Sequence, residues 1–476
     1  MSLGKQIAYN TFLQTTAKIV STVLAVVAFG LMTRYLDREG FGAYTTITAF
    51  LQFFGILVDM GLSVIAIQLI SELGHDHTKN YNNIFTIRLF SAIIIYVLAP
   101  FAVLLFPYSS SIKFGVLLMA PSFFLSSMIQ MSTVVYQVRL SMMIPTIADI
   151  ISKAFLIVGI ALATYMDWGL VGVLVVILFN NAVQWGILFF SSRQWALPKL
   201  SFNWHIWRIV YDRAWPIALS ILCNVIYLRA DTLILSLFKT QEDVGIYGAA
   251  FRVVEVLMTF PIMFIGLTLA SFARAWSSGN IPLFKRYFQK TFDFMSLTAF
   301  PLIVGTYFTG TSVMVLVSGS SFVQSGYLLK LLIVATGAIF FGSLFGHLIN
   351  IINEQKKMLA GYFTVAVLAV ICYLIFIPQY GYWAAASITI ITEVLIAIIG
   401  FFIFYRKTRV APHLGYALKT LAASCVMGVF LYAFPEVNLT VKILGSCVIY
   451  CGALYLIGGL TKEMISSLLP SGVGKG

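Results

Sequence analysis

The chain has 476 residues, 60% of them hydrophobic and only 10% charged, which leaves too few polar side chains to solvate a globular surface and excludes an ordinary soluble domain. Its net charge of +13 is no nucleic-acid footprint, because the cations fall in gaps between apolar runs rather than along one soluble helix; no nucleic-acid partner is expected. Cys223, Cys372, Cys425, Cys447 and Cys451 all lie inside apolar runs with no paired loop spacing, which excludes a disulfide framework and a cysteine metal site.

Apolar windows long enough to cross a bilayer predict helices near 11–33, 43–70, 83–106, 112–137, 145–165 and 170–190. A second set follows near 214–237, 244–272, 288–310, 327–350, 358–377 and 380–404, with a last pair near 412–434 and 439–460. No cleavage motif follows the first run, so it is expected to stay as a helix. The fold class is therefore all-α: a polytopic membrane protein of about fourteen helices. With the N-terminus placed inside, eighteen Lys and Arg fall in inner segments and five (Arg34, Arg38, Lys113, Lys239 and Lys442) in outer ones. That asymmetry puts both termini in the cytoplasm and the chain in a bacterial inner membrane. The inner segment 191–213, with Trp195, Trp204, His205, Trp207 and Arg208, mixes aromatics and cations like an interfacial helix and is the expected linker between halves. Leu283-Phe284-Lys285-Arg286-Tyr287-Phe288 reads as a second helix lying on the membrane surface. The longest outer connection, near 310–326, leaves no room for an extracytoplasmic catalytic domain, so no enzyme is expected.

An internal repeat is visible. Glu39-Gly40-Phe41-Gly42-Ala43-Tyr44, between helices 1 and 2, aligns without gaps on Glu242-Asp243-Val244-Gly245-Ile246-Tyr247, between helices 7 and 8. A second echo joins Gly169-Leu170-Val171-Gly172 to Gly381-Tyr382-Trp383-Ala384. Six helices followed by six of the same orientation predict an N-lobe over 1–200, a C-lobe over 201–405 and a C-terminal helix pair over 406–476. Parallel repeats of this kind suit transporters that present a central cavity alternately to each side. Helices 2 and 8 each carry an irregular feature at matching depth, Asp59-Met60-Gly61 and Pro261, and are expected to be interrupted there.

These residues resemble a known family. Asp243-Val244-Gly245-Ile246-Tyr247-Gly248-Ala249-Ala250-Phe251-Arg252, preceded by Arg229-Ala230-Asp231-Thr232-Leu233-Ile234-Leu235, is similar to the middle of the polysaccharide-biosynthesis flippases that move O-antigen and related oligosaccharide-lipids. Val58-Asp59-Met60-Gly61-Leu62 and Ile377-Pro378-Gln379-Tyr380-Gly381-Tyr382-Trp383-Ala384-Ala385-Ala386 extend the resemblance over nearly the whole chain. Trp383 departs from the pattern, which usually has a second glycine there. The resemblance implies two six-helix lobes around a V-shaped cavity, a polyprenyl-(pyro)phosphate-linked oligosaccharide as cargo, and a polysaccharide polymerase and chain-length machinery as partners. The same superfamily holds multidrug exporters and lipid II flippases, and both remain alternatives.

Charged residues inside spans are costly and mark function or pairing. Lys18, Arg229 and Arg252 are the expected cationic, phosphate-binding residues of the cavity, and Asp59, Asp231, Glu255 and Glu393 the candidates for ion coupling or gating. Arg229 and Arg252 fall at one depth, about 12 Å below the outer surface, and Lys18 and Asp59 at another, about 23–24 Å below it. Internal pairing is the competing reading: Asp231 with Arg252, Arg252 with Glu255, Lys18 with Asp59, and Asp149 with Lys153. Arg88, Asp293, Lys330 and Lys419 are placed near helix ends, where they can snorkel. The terminal Gly472-Val473-Gly474-Lys475-Gly476 lacks the hydroxyl residue and following helix of a nucleotide loop. Coupling to protons or Na⁺ is open, no other cofactor is expected, and His75-Asp76-His77 reads as a solvated turn rather than a metal site.

Overall fold

The computed structural model describes residues 3–71, 77–139, 141–193 and 198–459, with side chains described from residue 16 onward. The side chains of the His75-Asp76-His77 pattern and the terminal run 472–476 lie outside the described residues. Among the described residues every long element is helical: α1 (Leu3–Asp59), α2 (Leu62–Ser71), α3 (His77–Ala102), α4 (Ser110–Val138), α5 (Met143–Tyr165), α6 (Gly169–Ser192), α7 (Trp204–Phe238), α8 (Gln241–Ser277), α9 (Ile281–Ser318), α10 (Val323–Ile351), α11 (Gln355–Tyr380), α12 (Tyr382–Thr408), α13 (Gly415–Ala433) and α14 (Leu439–Leu456). Predicted helices 1 and 2 correspond to α1 with α2; from α3 the numbers coincide.

Among the described residues thirteen stretches are long and apolar enough to cross a membrane, the first being Thr16–Ser71 with 56 residues. Straight, that stretch would run about 84 Å against a hydrocarbon core of ~30 Å. It folds back at Asp37, whose φ of 55° and ψ of −170° are not helical. Phe29 and Phe41 would lie about 18 Å apart on a straight helix; instead their rings meet edge to face with centroids 5.6 Å apart. The first stretch therefore crosses twice, which restores the fourteen crossings read from the sequence. Leu105, Val158, Phe190 and Val429 are among the many large apolar side chains left exposed, which only a lipid solvent tolerates on this scale.

The chain divides into two compact units. The first comprises residues up to 248 with 317–321 and 366–385; in it α1 packs on α3, α4, α5, α6 and α7 around Ile47, Leu51, Val116 and Leu174. The second comprises 249–316, 322–365 and the chain from 386. Its core is aromatic: the Phe288 and Phe404 rings stack with centroids 4.9 Å apart, and Phe284 and Phe345 flank them. Helices α13 and α14 join through Met427, Leu431, Tyr450 and Leu454, and the Tyr450 hydroxyl donates to the Leu297 carbonyl of α9 at 2.9 Å.

Several helices are longer than their apolar windows. α3 starts six residues earlier than expected because its polar first turn is not a loop: Asn82 and Asn83 are buried and hold the connection before α7. Asn82 accepts from Lys199 N–H at 3.1 Å, and Asn83 accepts from Asn203 N–H and Trp207 Nε1–H at 2.8 and 3.1 Å. The aromatic linker segment Trp204–Arg208 is the opening of α7. Leu283–Phe288 does not form a separate surface helix but belongs to α9; Phe284 and Phe288, one turn apart, are fully buried, so this end is packed rather than floated. The outer connection near 310–326 shrinks to residues 319–322, since α9 runs on to Ser318. The expected interruption at Met60-Gly61 is real, with φ of 40° and 76°, whereas α8 continues through Pro261. A proline removes one helix donor, which a long helix absorbs; two successive positive φ values it cannot.

Glu354, between α10 and α11, accepts from Lys357 at 2.7 Å and pairs with Lys407 of α12 at 3.3 Å. These two hydrogen bonds, Lys357 first, hold its carboxyl below the ordinary glutamate range. A lowered folded-state value stabilises above the unfolded value and is lost as pH falls through the folded one. Glu354→Gln should therefore melt below the parent protein near neutral pH in detergent, and the gap should close well below about pH 4. A gap independent of pH would refute this linkage.

Candidate functional site

The repeated outer turns lie directly against each other within the first unit. A Cβ built on Gly42 would fall 1.7 Å from the Gln241 carbonyl oxygen, and one on Gly245 would fall 2.0 Å from that of Arg38. Gly42 aligns on Gly245 and Arg38 on Gln241 in the repeat, so the crossing is pseudo-symmetric. The third aligned pair, Thr45 and Gly248, meets too, with a Cβ on Gly248 placed 2.7 Å from the Thr45 side chain. Only glycine lets two helix backbones come this close. Arg38 reinforces the contact by an ion pair to Glu242 at 2.6 Å, and Thr46 Oγ1 donates to Gln241 Oε1 at 2.7 Å. The second echo has a geometric counterpart, since Gly169, the first residue of α6, and Gly381, immediately before α12, both have positive φ, 62° and 58°.

Asp59 closes α1 at the Met60-Gly61 break, and its partner is Arg88 of α3 at 2.7 Å. The competing reading, which paired Asp59 with Lys18, therefore names the wrong cation. Arg88 is 1% exposed; it also donates to Ser63 at 2.7 Å, to Ser127 at 2.9 Å and to Gln130 at 2.9 Å. Ser63 in turn donates to Asp59 at 2.7 Å. Sequence reasoning set Arg88 near a helix end because it read the asparagine-rich start of α3 as loop; with α3 beginning at His77, Arg88 lies about 16 Å into the helix, too deep to snorkel and obliged to find partners. Lys18 instead has an exposed side chain on α1 and forms no ion pair among the described residues.

On α7, Arg229 is half-buried and lies within electrostatic range of Asp231. Asp231 is 1% exposed. It accepts hydrogen bonds from the Tyr247 hydroxyl, in the second turn of α8, and from Thr232 N–H and Oγ1. Tyr247 belongs to the repeated turn, so the turn motif and the buried acid form one polar unit, a link invisible in the one-dimensional pattern. In the second unit Arg252 pairs with Glu255 at 2.7 Å, one turn along α8, yet Arg252 stays 54% exposed. Asp149 and Lys153 pair at 3.0 Å, as the spacing implied, and Ser21 of α1 bridges both. Glu393, on α12, is 4% exposed and its Oε1 has no hydrogen-bond partner among the described residues.

No group of three or more His, Cys, Asp and Glu suited to a metal occurs among the described residues. The chemistry on offer is electrostatic: accessible cations on spans, and acids that are buried or paired. Accessible cations hold phosphate by charge-assisted hydrogen bonds, and buried acids bind protons or small cations.

The sequence profile described as "Polysaccharide biosynthesis protein" matches residues 7–276, more than half of the chain. A search of curated proteins returns no match. Among solved structures, the lipid II flippase MurJ in an inward closed conformation superposes with a TM-score of 0.78 at 15% identity, over 94% of this chain and 98% of that one. A multidrug resistance MATE family transporter of the MOP superfamily, inward-facing, gives 0.68 at 13% identity, over 84% and 98%. A MOP superfamily transporter from Pyrococcus furiosus gives 0.56 at 15%, over 83% and 96%. At these identities the likeness establishes the fold: a multi-pass helical membrane architecture shared with flippases and exporters.

Proposed function

This chain belongs to the polysaccharide biosynthesis protein family, and from that premise we propose that it is a flippase carrying a polyprenyl-(pyro)phosphate-linked oligosaccharide across the bacterial inner membrane by alternating access. The observation that carries the reading is the sign of the accessible charge on the spans. Lys18 and Arg252 are exposed and Arg229 is half-buried, while Asp231 and Glu393 are buried and Asp59 and Glu255 are engaged by arginines. Such a surface suits an anionic headgroup. A cationic drug would need the opposite arrangement.

The cargo's tail stays in lipid, whereas its sugar hydroxyls each cost several kcal/mol in hydrocarbon without a partner and need a polar route. Lys18 and Arg229 in the first unit, and Arg252 in the second, would each offer a cation to a phosphate. Moving a negative charge outward from a negative interior gains about 2.3 kcal/mol per charge per 100 mV, so the membrane potential favours export without nucleotide hydrolysis. The product would feed a polysaccharide polymerase and its chain-length machinery for O-antigen, capsule or exopolysaccharide.

The test is mass spectrometry of lipid-linked oligosaccharides from native cells before and after depletion, with surface polymer assayed in parallel. One completed repeat unit should accumulate on its carrier while surface polymer disappears, and a Lys18→Ala/Arg229→Ala double variant should fail to reverse both effects despite normal membrane levels. Accumulation of lipid II instead would assign the MurJ-type cargo. Unchanged intermediates would move the assignment to an exporter of another cargo, and full rescue by the double variant would remove the cationic-binding mechanism.

A further inference from the structure

We propose that Glu393 is a proton-binding site at the membrane midplane, the carboxyl that the protein protonates and deprotonates in its cycle; this rests on the transport reading above and names the group that would carry the coupling ion. Four acids within spans were open to that role, and the structure separates them. Asp59 is held by Arg88 and Ser63, Glu255 by Arg252, and Asp231 by Tyr247 and Thr232. Glu393 alone of the four has a buried carboxylate oxygen with no hydrogen-bond partner among the described residues.

Its position sharpens the point. α12 begins at Tyr382, so Glu393 lies about 16 Å along the helix, close to half of a ~30 Å hydrocarbon core. It belongs to the buried face of α12, with Thr389, Thr392 and Ile396, and not to the lipid-facing side. An ionised carboxylate without a cation or donor is strongly disfavoured there, whereas the neutral acid is tolerated. Tyr362 of α11 lies within electrostatic range of the carboxyl and is the titratable side chain facing it. α10 meets α12 through Gly342 against Ala397 and Phe345 against Gly400, and α9 meets it through Phe284 and Phe288 against Phe404; none of these can titrate or neutralise a charge. A hard metal cation takes several oxygen ligands and favours more than one carboxylate, and among the described residues no group of three or more His, Cys, Asp or Glu is gathered around Glu393. A proton needs only one carboxyl. Binding converts carboxylate to carboxylic acid, and release in the other orientation of the cycle restores it, so no further reactant is involved.

The test uses the full chain in liposomes treated with dicyclohexylcarbodiimide, which adds to a protonated carboxyl in apolar surroundings, with the adduct located by peptide mass spectrometry across a pH series. An adduct at Glu393 that fades at alkaline pH is expected, and Glu393→Gln, a neutral isostere, should keep its melting temperature yet lose surface polymer in cells. No adduct at Glu393 at any pH would overturn the proposal, and so would normal surface polymer in Glu393→Gln where depletion of the protein itself removes that polymer. The labelling needs no cargo, so it stands apart from the depletion experiment: an adduct together with unchanged lipid intermediates would sink the oligosaccharide reading and leave the proton site in place.

Discussion

Gly42→Val and Gly245→Val should each abolish surface polymer while the protein still inserts in the membrane. The reason is geometric. At both positions the first side-chain carbon would overlap a backbone carbonyl, that of Gln241 or of Arg38, at 1.7 and 2.0 Å, and a carbonyl inside a helix has no rotamer with which to yield. Overpacking a core typically costs about 1–3 kcal/mol, and a clash against backbone belongs at the upper end because whole helices must part. Parting them also strains the Arg38–Glu242 ion pair and the Thr46–Gln241 hydrogen bond that flank the crossing. Gly186→Ala is the matched control, since a Cβ there meets nothing within 4 Å. Thermal melting in detergent and surface polymer in complemented cells are the readouts. Parental values for either valine variant would show that the close approach is not required.

Arg88→Met should destabilise the chain by about 3–5 kcal/mol, the usual cost of removing one partner from a buried ion pair. The loss strands Asp59 at the Met60-Gly61 break without its cation and leaves Ser127 and Gln130 without their donor. Asp59→Asn should cost a similar amount by stranding the arginine. The double variant should recover much of the stability, because a neutral pair removes both desolvated charges. Melting temperatures of the four proteins form the cycle, and strict additivity would show that the two residues do not act as a pair. Positive φ at Met60 gives the pair a further task, since a non-glycine residue holds that conformation only where its surroundings impose it.

Hydrophobic run length and cation asymmetry carried much of the architecture, because a bilayer imposes both on any chain that crosses it. The Gly42 and Gly245 alignment was legible for a related reason: identical local geometry at two outer turns demands the same residue at each. Boundaries were less legible. The start of α3 looks like a loop because Asn82 and Asn83 are polar, and only the positions of Lys199, Asn203 and Trp207 show what those amides bind. Likewise Phe284 and Phe288 flank Lys285 and Arg286 in a pattern that fits a floating anchor or a buried helix face equally well, and Phe404, far along the chain, decides between them.

The sequence by itself determined the helical membrane fold, the number of crossings and the repeat, since each follows from local composition against a fixed solvent slab. It also named the intramembrane charges. Pairs within one helix, Asp149–Lys153 and Arg252–Glu255, were legible from spacing; which charges meet across helices was decided only by tertiary structure. Asp59 is level with Lys18 along the membrane normal but faces Arg88 around the helix axis, and depth can be counted from a helix end whereas facing depends on how neighbouring helices are rotated. The same rotation gives Asp231 the hydroxyl of Tyr247 and leaves the buried Oε1 of Glu393 without a hydrogen-bond partner among the described residues.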